Sequence, residues 1–593
     1  MNKRNWLIAI VGALLLIGCC CVVAAAGIVI LDPFEWNLLD RLSGKGDPTV
    51  KVMPPETSLY MGVNLLNATP DKLNRVMQPF ADVSAGEVKN WEETRAELDQ
   101  QLLDELGVTF AEDIQPWIGQ YLSLGISSLE LDEYGELKNA HFVLALETRN
   151  TQKADLFLAK VKAKLSEDSA NTIEESEYQG VKLTSVTSAA GSSAASLPDS
   201  TVFGRAGSTL LLGMQIEDLQ KAIDTQKGSA SLASNPNYQK MLQSLPSGRL
   251  LTAYLDMQQF TEMYMGLLEN MSASLGTSMT PEQIQELKDY MQSSSAGTQG
   301  MGLSIMIVDA GVQLDSITNY EPEKLSGEQK VIVEQTGVAT KVVELLPEDT
   351  FLYLGRKLPS AFWTMLPGVF VKTGSVTQDE LDQAMLQFEQ QIGFNPVTDL
   401  LPYLEGETAL AAFPSSDGLI PAQSGLNVGA ALLLESSNPD GMLSLLKDVT
   451  VATAPMGLIF NEQQAGDLTY YELQDPGSGI SMVAMGVNNP YLALSTSGKT
   501  LQALFAGNPS LAKSASYQQS IAALPEGMAP FLYLDVASLT GVIRESLPAD
   551  DLQVFNTSIQ MFEPIPTILG GASLERGESV RSTMIVFITP LQK

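Results

Sequence analysis

The sequence predicts an α+β protein: two tandem copies of a mixed, largely antiparallel sheet unit with packed helices, placed after one N-terminal transmembrane helix. Three observations carry this. A long uncharged apolar run opens the chain. The remainder is written twice, segment by segment. Within each copy, strand-like alternation comes in hairpin pairs with helical periods between them, not as strict strand–helix alternation.

The opening run is "WLIAIVGALLLIGCCCVVAAAGIVIL", residues 6–31, without a charge. At ~1.5 Å per residue a helix of this length spans the ~30 Å hydrocarbon layer with some tilt. Lys3 and Arg4 precede it, and Asp32, Pro33 and Glu35 follow. The positive-inside rule then keeps residues 1–5 cytoplasmic and puts the body outside the membrane, as in a single-pass signal-anchored protein. A second reading uses Leu16-Ile17-Gly18-Cys19, which resembles a bacterial lipobox with Cys19 as the acylated residue. A third treats the segment as a cleaved signal peptide. The apolar run continues past the Cys triplet to Leu31, which favours the uncleaved anchor. All three place the body outside the cytoplasmic membrane.

The body repeats itself. "MPPETSLYMG" (53–62) matches "LPEDTFLYLG" (346–355), and "LGVTFAEDIQPWI" (106–118) matches "IGFNPVTDLLPYL" (392–404). "LETRN" (146–150) matches "LESSN" (434–438), and "YQKMLQSLPSGRLLTAYLD" (238–256) matches "YQQSIAALPEGMAPFLYLD" (517–535). "GLSIMIVDAGVQLDSITNY" (302–320) pairs with "GASLERGESVRSTMIVFI" (571–588). The order is the same in both. The expected organisation is a linker at 32–52, copy one at 53–320, a polar connector at 321–340 and copy two at 341–593. The tract "SVTSAAGSSAASLPDS" (185–200) is a surface loop that copy two replaces with a short "DPGSG".

In copy one, "SLYMGVNL", "QYLSLGISSLEL", "AHFVLALET", "GVKLTSVT", "STLLLGM" and "LLTAYLDM" alternate like strands between turn residues. "LDEYGELK" (131–138) reads as a hairpin turn. "TQKADLFLAKVKAKL" (151–165) has helical spacing, with Thr151 as its N-cap. "TPEQIQELKDYMQ" (280–292) opens with Thr-Pro, a helix start. "MQQFTEMYMGLLENM" (257–271) is rich in Met and aromatics, as a core-facing stripe or the lining of an apolar groove would be.

Composition removes whole classes of chemistry. The 593 residues carry 35 Lys plus Arg against 69 Asp plus Glu, a net charge of −34. Phosphate backbones and anionic headgroups repel such a chain, so no nucleic-acid partner is expected. The three cysteines are consecutive at 19–21, which leaves the body without disulfides or thiolate metal sites. One histidine, His141, is present, so no His-pair metal site exists. It sits at a strand start and reads as a half-exposed side chain.

"YLALSTSGKTLQALF" (491–505) nearly spells a phosphate-binding loop. The repeat argues against it. Gly498-Lys499-Thr500 falls on Ile216-Glu217-Asp218 of copy one, where a Glu replaces the phosphate-holding Lys. The segment therefore reads as a strand, a turn and a helix start, with no nucleotide. Ser444-Leu-Leu-Lys447 and Lys372-Thr373-Gly374 imitate penicillin-recognising enzymes, but in reversed chain order. The candidates left for chemistry are acids at matched positions: Asp113 with Asp399, Glu147 with Glu435, and Asp256 with Asp535. A carboxylate pair can serve as general acid and base. The commoner role of such residues is capping a turn.

The anchor, the repeated Leu-Pro-Glu-type strand opening and "YLEGETALA" (403–411) resemble a family of bacterial envelope proteins known only as a domain of unknown function. The resemblance covers most of residues 53–593 and implies address and architecture, with no catalytic residues to carry over. The functional expectation is a non-enzymatic binding or envelope-scaffold role without cofactor. The alternatives are a carrier for a lipid or other apolar ligand, and a carboxylate-dependent hydrolase.

Overall fold

A computed structural model of the chain describes residues 47–589, apart from 85, 87, 132–136, 189–199, 275–280, 373–375, 417–425, 467, 478 and 508. The expected anchor, Cys19, residues 32–46 of the linker, the centre of the 131–138 turn and most of the Ser/Ala/Gly tract lie outside the described residues. Among the described residues no helix is long and apolar enough to cross a membrane. The chain divides into two compact units. One comprises Met1–Val308 with Leu314–Tyr320, the other Asp309–Gln313 with Glu321–Lys593.

The first unit holds β1 (Leu59–Asn64), β2 (Ile118–Leu131), β3 (Leu137–Thr148), β4 (Asn171–Tyr178), β5 (Val181–Ser188), β6 (Ser200–Ala206), β7 (Thr209–Gly213), β8 (Leu251–Asp256), β9 (Thr298–Val308) and most of β10 (Gly311–Tyr320), whose first three residues fall to the second unit. They lie side by side in the order β4-β5-β6-β7-β3-β2-β1-β8-β9-β10. Every pairing from β4 to β9 is antiparallel. The second unit holds β11 (Leu352–Leu358), β12 (Leu404–Pro414), β13 (Val428–Ser436), β14 (Phe460–Ala465), β15 (Leu468–Gln474), β16 (Ser481–Asn488), β17 (Tyr491–Ser495), β18 (Ala529–Asp535), β19 (Thr567–Glu575) and β20 (Ser579–Phe587). Their order is β14-β15-β16-β17-β13-β12-β11-β18-β19-β20, antiparallel throughout.

The six strands expected in the first unit are present, and β4, β6, β9 and β10 add to them. β4 reads "NTIEESEY" and is largely exposed, so no apolar alternation marked it. Its glutamates keep an edge strand from pairing with another chain. The helix Thr151–Leu165 is capped one residue earlier than expected: the Asn150 side chain accepts from the Lys153 N–H at 3.1 Å. The connector is not featureless. It contains the helix Gly327–Glu334, opened by a capping box between Ser326 and Gln329.

A buried tyrosine cluster organises one face of each sheet. Tyr60 of β1 lies directly across from Tyr254 of β8. Tyr238, from the helix Pro236–Ser244, meets both edge-on with ring centroids 5.7 and 5.4 Å apart. In the second unit Tyr353 of β11 lies across from Tyr533 of β18. Tyr517, from the helix Ala515–Ile521, meets Tyr533 edge-on at 5.2 Å. All six rings are buried. Edge-to-face pairs add to area burial, and each hydroxyl needs a partner. The helices Ile216–Gln226 and Gly498–Leu504 close the same face of their respective sheets through Leu219 and Ile223, and through Leu501 and Leu504.

Burial raises the proton affinity of all six hydroxyls, keeping them neutral. Removing one ring from this packing opens a cavity. Tyr353→Ala is expected to cost the second unit about 3–5 kcal/mol, read as a lowered midpoint in urea unfolding.

Candidate functional site

The acids singled out by the repeat all serve the backbone. Asp256 ends β8: its Oδ1 accepts from the Gln259 N–H at 3.1 Å, and its Oδ2 accepts from the Tyr254 hydroxyl at 3.2 Å. Asp535 ends β18 and does the same with the Ser538 N–H at 2.8 Å and the Tyr533 hydroxyl at 3.3 Å. Each therefore caps the helix that follows and holds a core tyrosine. Asp113 accepts from the Thr109 N–H at 2.8 Å and pairs with Lys160 at 2.9 Å. Asp399 accepts from the Asn395 N–H at 2.8 Å, four residues back as in Asp113.

Glu147 and Glu435 lie within β3 and β13. Each clamps a bulge in the neighbouring strand. Glu147 accepts from the Gln120 and Tyr121 N–H groups at 2.8 and 3.2 Å. Glu435 accepts from the Glu407 N–H at 2.6 Å. The register of β2 on β3 slips between Ile118 and Leu122, and that of β12 on β13 between Leu404 and Thr408. A bulge frees N–H groups from the ladder, and the carboxylate takes them.

Further carboxylates, not marked by the repeat, also serve the backbone. Asp47 accepts from the Thr49 N–H and from the Tyr60 hydroxyl, at the start of the turn Thr49–Val52. In the second unit Thr340 takes over the tyrosine, 2.5 Å from the Tyr353 hydroxyl. The turn Val342–Glu344 is served there by Glu407, which accepts from the Lys341 and Val342 N–H groups and the Tyr491 hydroxyl at 2.8–3.0 Å. The phosphate-loop lookalike is filled in the same way. The Gly498 N–H donates to Glu472 of β15 at 2.8 Å, and Ser497 caps Thr500 at 3.1 Å. A carboxylate of the chain thus stands where a phosphate would.

His141 is half-exposed, as expected, but it is not idle. Its Nδ1 lies 3.0 Å from Oδ1 of buried Asp218, and Asn139 faces its Nε2 at 3.2 Å. At the matching position the second unit has Gly429, where a Cβ would come within 2.6 Å of the Thr500 hydroxyl.

The surface that no polar role explains is the second face of the sheet. In the second unit a single level across the strands reads Leu532, Leu354, Leu410, Leu432, Leu494 and Met485, each directly opposite the next. Met485 is buried beneath the helix Pro439–Thr453. Leu539 and Val542, from the helix Val536–Ser546, cover the end of the face at Leu352 and Ala412. Between these covers, Leu354 is 46% exposed and Leu410 40%, although both lie on interior strands. Beside β12 runs the helix Ser360–Lys372, "SAFWTMLPGVFVK". Its Phe362, Trp363, Met365 and Leu366 are only half-buried.

The first unit closes the corresponding level better. Met61, Leu124 and Leu144 are half-buried or buried there. The helix Met257–Ser274 packs across β2, β8 and β9. It has 18 residues, against 11 for Val536–Ser546. The Met-rich stretch is thus a cover for the sheet, with Thr261 and Met265 buried, and its shorter counterpart leaves Leu354 and Leu410 open.

The sequence from residue 9 to residue 587 matches the family described as "Protein of unknown function (DUF3352)". The chain belongs to this family. The DUF3352 match leaves no large part of either unit outside it. No curated protein matches the chain. Among solved structures, crystal form I of TP0453 aligns at a TM-score of 0.22 and 8% identity, over 47% of this chain and 80% of that one. Crystal form III of TP0453 aligns at 0.23 and 9%, over 49% and 86%. Scores this low establish no common fold.

Asp218 gives a pH test of the internal carboxylates. Burial pushes its carboxyl above the ordinary aspartate range, against the pull of His141. The native state then takes up this proton before the unfolded state does, so stability falls as pH rises through the native value. Wild type should therefore lose stability relative to Asp218→Asn on raising the pH from the ordinary aspartate range. Urea midpoints for the pair, compared in a His141→Gln background to remove imidazole titration, read this difference directly.

Proposed function

We propose that the chain is a membrane-anchored, extracytoplasmic binding protein whose second unit presents an apolar sheet face to its partner. The observation that carries this is the exposure of Leu354 and Leu410 in the middle of a sheet. Two half-open leucines at an interior level cost solvation that polar residues would avoid, and a contiguous apolar floor is the usual mark of a contact surface.

The two units are copies of one α+β design under this reading. The same succession of strand pairings and the paired tyrosine clusters support it. The anchor is residues 6–31, or else a lipid on Cys19, and residues 47–593 stand outside the membrane. The charge of −34 and the filled site at Gly498 support a partner that is neither nucleic acid nor nucleotide.

A carrier for a lipid or other apolar ligand is the second reading. The half-open helix Ser360–Lys372 beside the floor favours it, since a narrow apolar ligand would be flanked on that side. A carboxylate hydrolase has the least support, because each of the six matched acids already accepts a backbone N–H group.

Native mass spectrometry of the full chain, taken from membranes in polymer nanodiscs, tests the binding reading. The expected result is a retained species that is lost in the Leu354→Thr, Leu410→Thr double variant. A small mass removable by organic extraction identifies a carrier, and a protein mass identifies a scaffold. No retained species in wild type overturns the reading.

A further inference from the structure

A second apolar surface in the same unit lies apart from the sheet level just described. The helix Pro439–Thr453 passes through a short turn, Ala454–Met456, and Gly457 into β14. Gly457 takes a left-handed conformation (φ 83°) that reverses the chain. Ala454 to Ile459 are exposed without interruption. Val451 is 67% exposed and Ile459 61%. From Val449 to Phe460 the sequence is "VTVATAPMGLIF", without one charge.

Met482 joins this tip from another strand. Phe460 of β14, Leu473 of β15 and Val483 of β16 lie in one row. Ile459 and Met482 each precede that row by one residue, at the same end of the sheet, some two strand spacings or ~10 Å apart. Met482 is 60% exposed.

The fold does not require apolar residues here. In the first unit the helix Thr151–Leu165 enters β4 through Ser166-Glu167-Asp168-Ser169-Ala170. Glu167 and Asp168 are charged where the second unit has an uncharged apolar turn. The same connection is therefore built once for water and once for something else.

We propose that the Ala454–Ile459 turn, with Val451 and Met482 beside it, is a seating tip that enters the interfacial layer of a lipid bilayer. The tip is a chain reversal at the end of a sheet, so it projects rather than forming a groove. An apolar projection without charges fits a fluid apolar layer, where ~5–10 Å of insertion buries it. The choice of a bilayer rests on the anchor in the proposed function. With the anchor at residues 6–31, only residues 32–46 separate it from the described body, a reach of at most ~50 Å. A tether of this length holds the body at high effective concentration beside the bilayer. The absence of charge in the tip also spares it the repulsion that a chain of −34 meets at anionic headgroups.

The test uses the full chain in nanodiscs of phosphatidylcholine, with the photoreactive residue p-benzoylphenylalanine placed singly at Leu458, at Glu167 or at Leu15. Lipid adducts are counted by mass spectrometry after irradiation. The expected result is a lipid adduct at Leu15 and at Leu458, with about tenfold less at Glu167. An adduct at Leu15 with none at Leu458 overturns the tip and leaves the anchor standing. So does a protein adduct at Leu458, or equal lipid adducts at Leu458 and Glu167. No adduct at Leu15 overturns the anchor itself, and with it the reason for choosing a bilayer.

Discussion

A tyrosine ring can fill the middle of a sheet only if its hydroxyl finds an acceptor, and each unit is arranged around that requirement. Tyr254 and Tyr533 donate to Asp256 and Asp535, two residues on and on the same face of the strand. The free oxygen of each aspartate then caps the next helix. One side chain thus joins the tyrosine core to the helix that follows. Tyr60 and Tyr353 complete the arrangement from the neighbouring strand, with Asp47 and Thr340 as their partners. An unmet hydroxyl at any of these places would cost about 1–3 kcal/mol.

The same economy explains where the interior acids go. Turn and helix starts, and bulges, leave N–H groups without ladder partners. Asp47, Glu147, Glu407, Glu435 and Glu472 each accept from such groups. The units solve equivalent problems with different residues. The turn before the first strand is served by Asp47 from its own chain segment in one unit, and by Glu407 from β12 in the other. A carboxylate held this way resembles a catalytic acid in sequence, yet it already serves the backbone.

What the polar interior leaves unexplained is apolar, and it concentrates in the second unit. Leu354 and Leu410 open where a shorter helix covers less of the sheet, and the 454–459 turn projects where the first unit places acids. Hydrophobic exposure is tolerated when something else covers it part of the time. The two exposed apolar surfaces thus lie in one unit.

Much of this was legible in the sequence. Period-two alternation gave the principal strands, because side chains of a half-buried sheet must alternate. The helix at 151–165 followed from its apolar period, although Asn150 and not Thr151 caps it, and the tyrosines showed themselves as repeated phrases. The glycine-lysine-threonine turn was readable as a structural element by comparing one half of the chain with the other. What depended on tertiary structure was contact. Glu147 and Glu435 are separated in sequence from the bulges they clamp by about two dozen residues or more, a pairing that no local pattern encodes. Likewise, alternation marks Leu354 and Leu410 as apolar, but the length and path of a helix more than a hundred residues away along the chain set whether water reaches them. Local sequence fixes which groups want burial; only the packed chain decides which of them receive it.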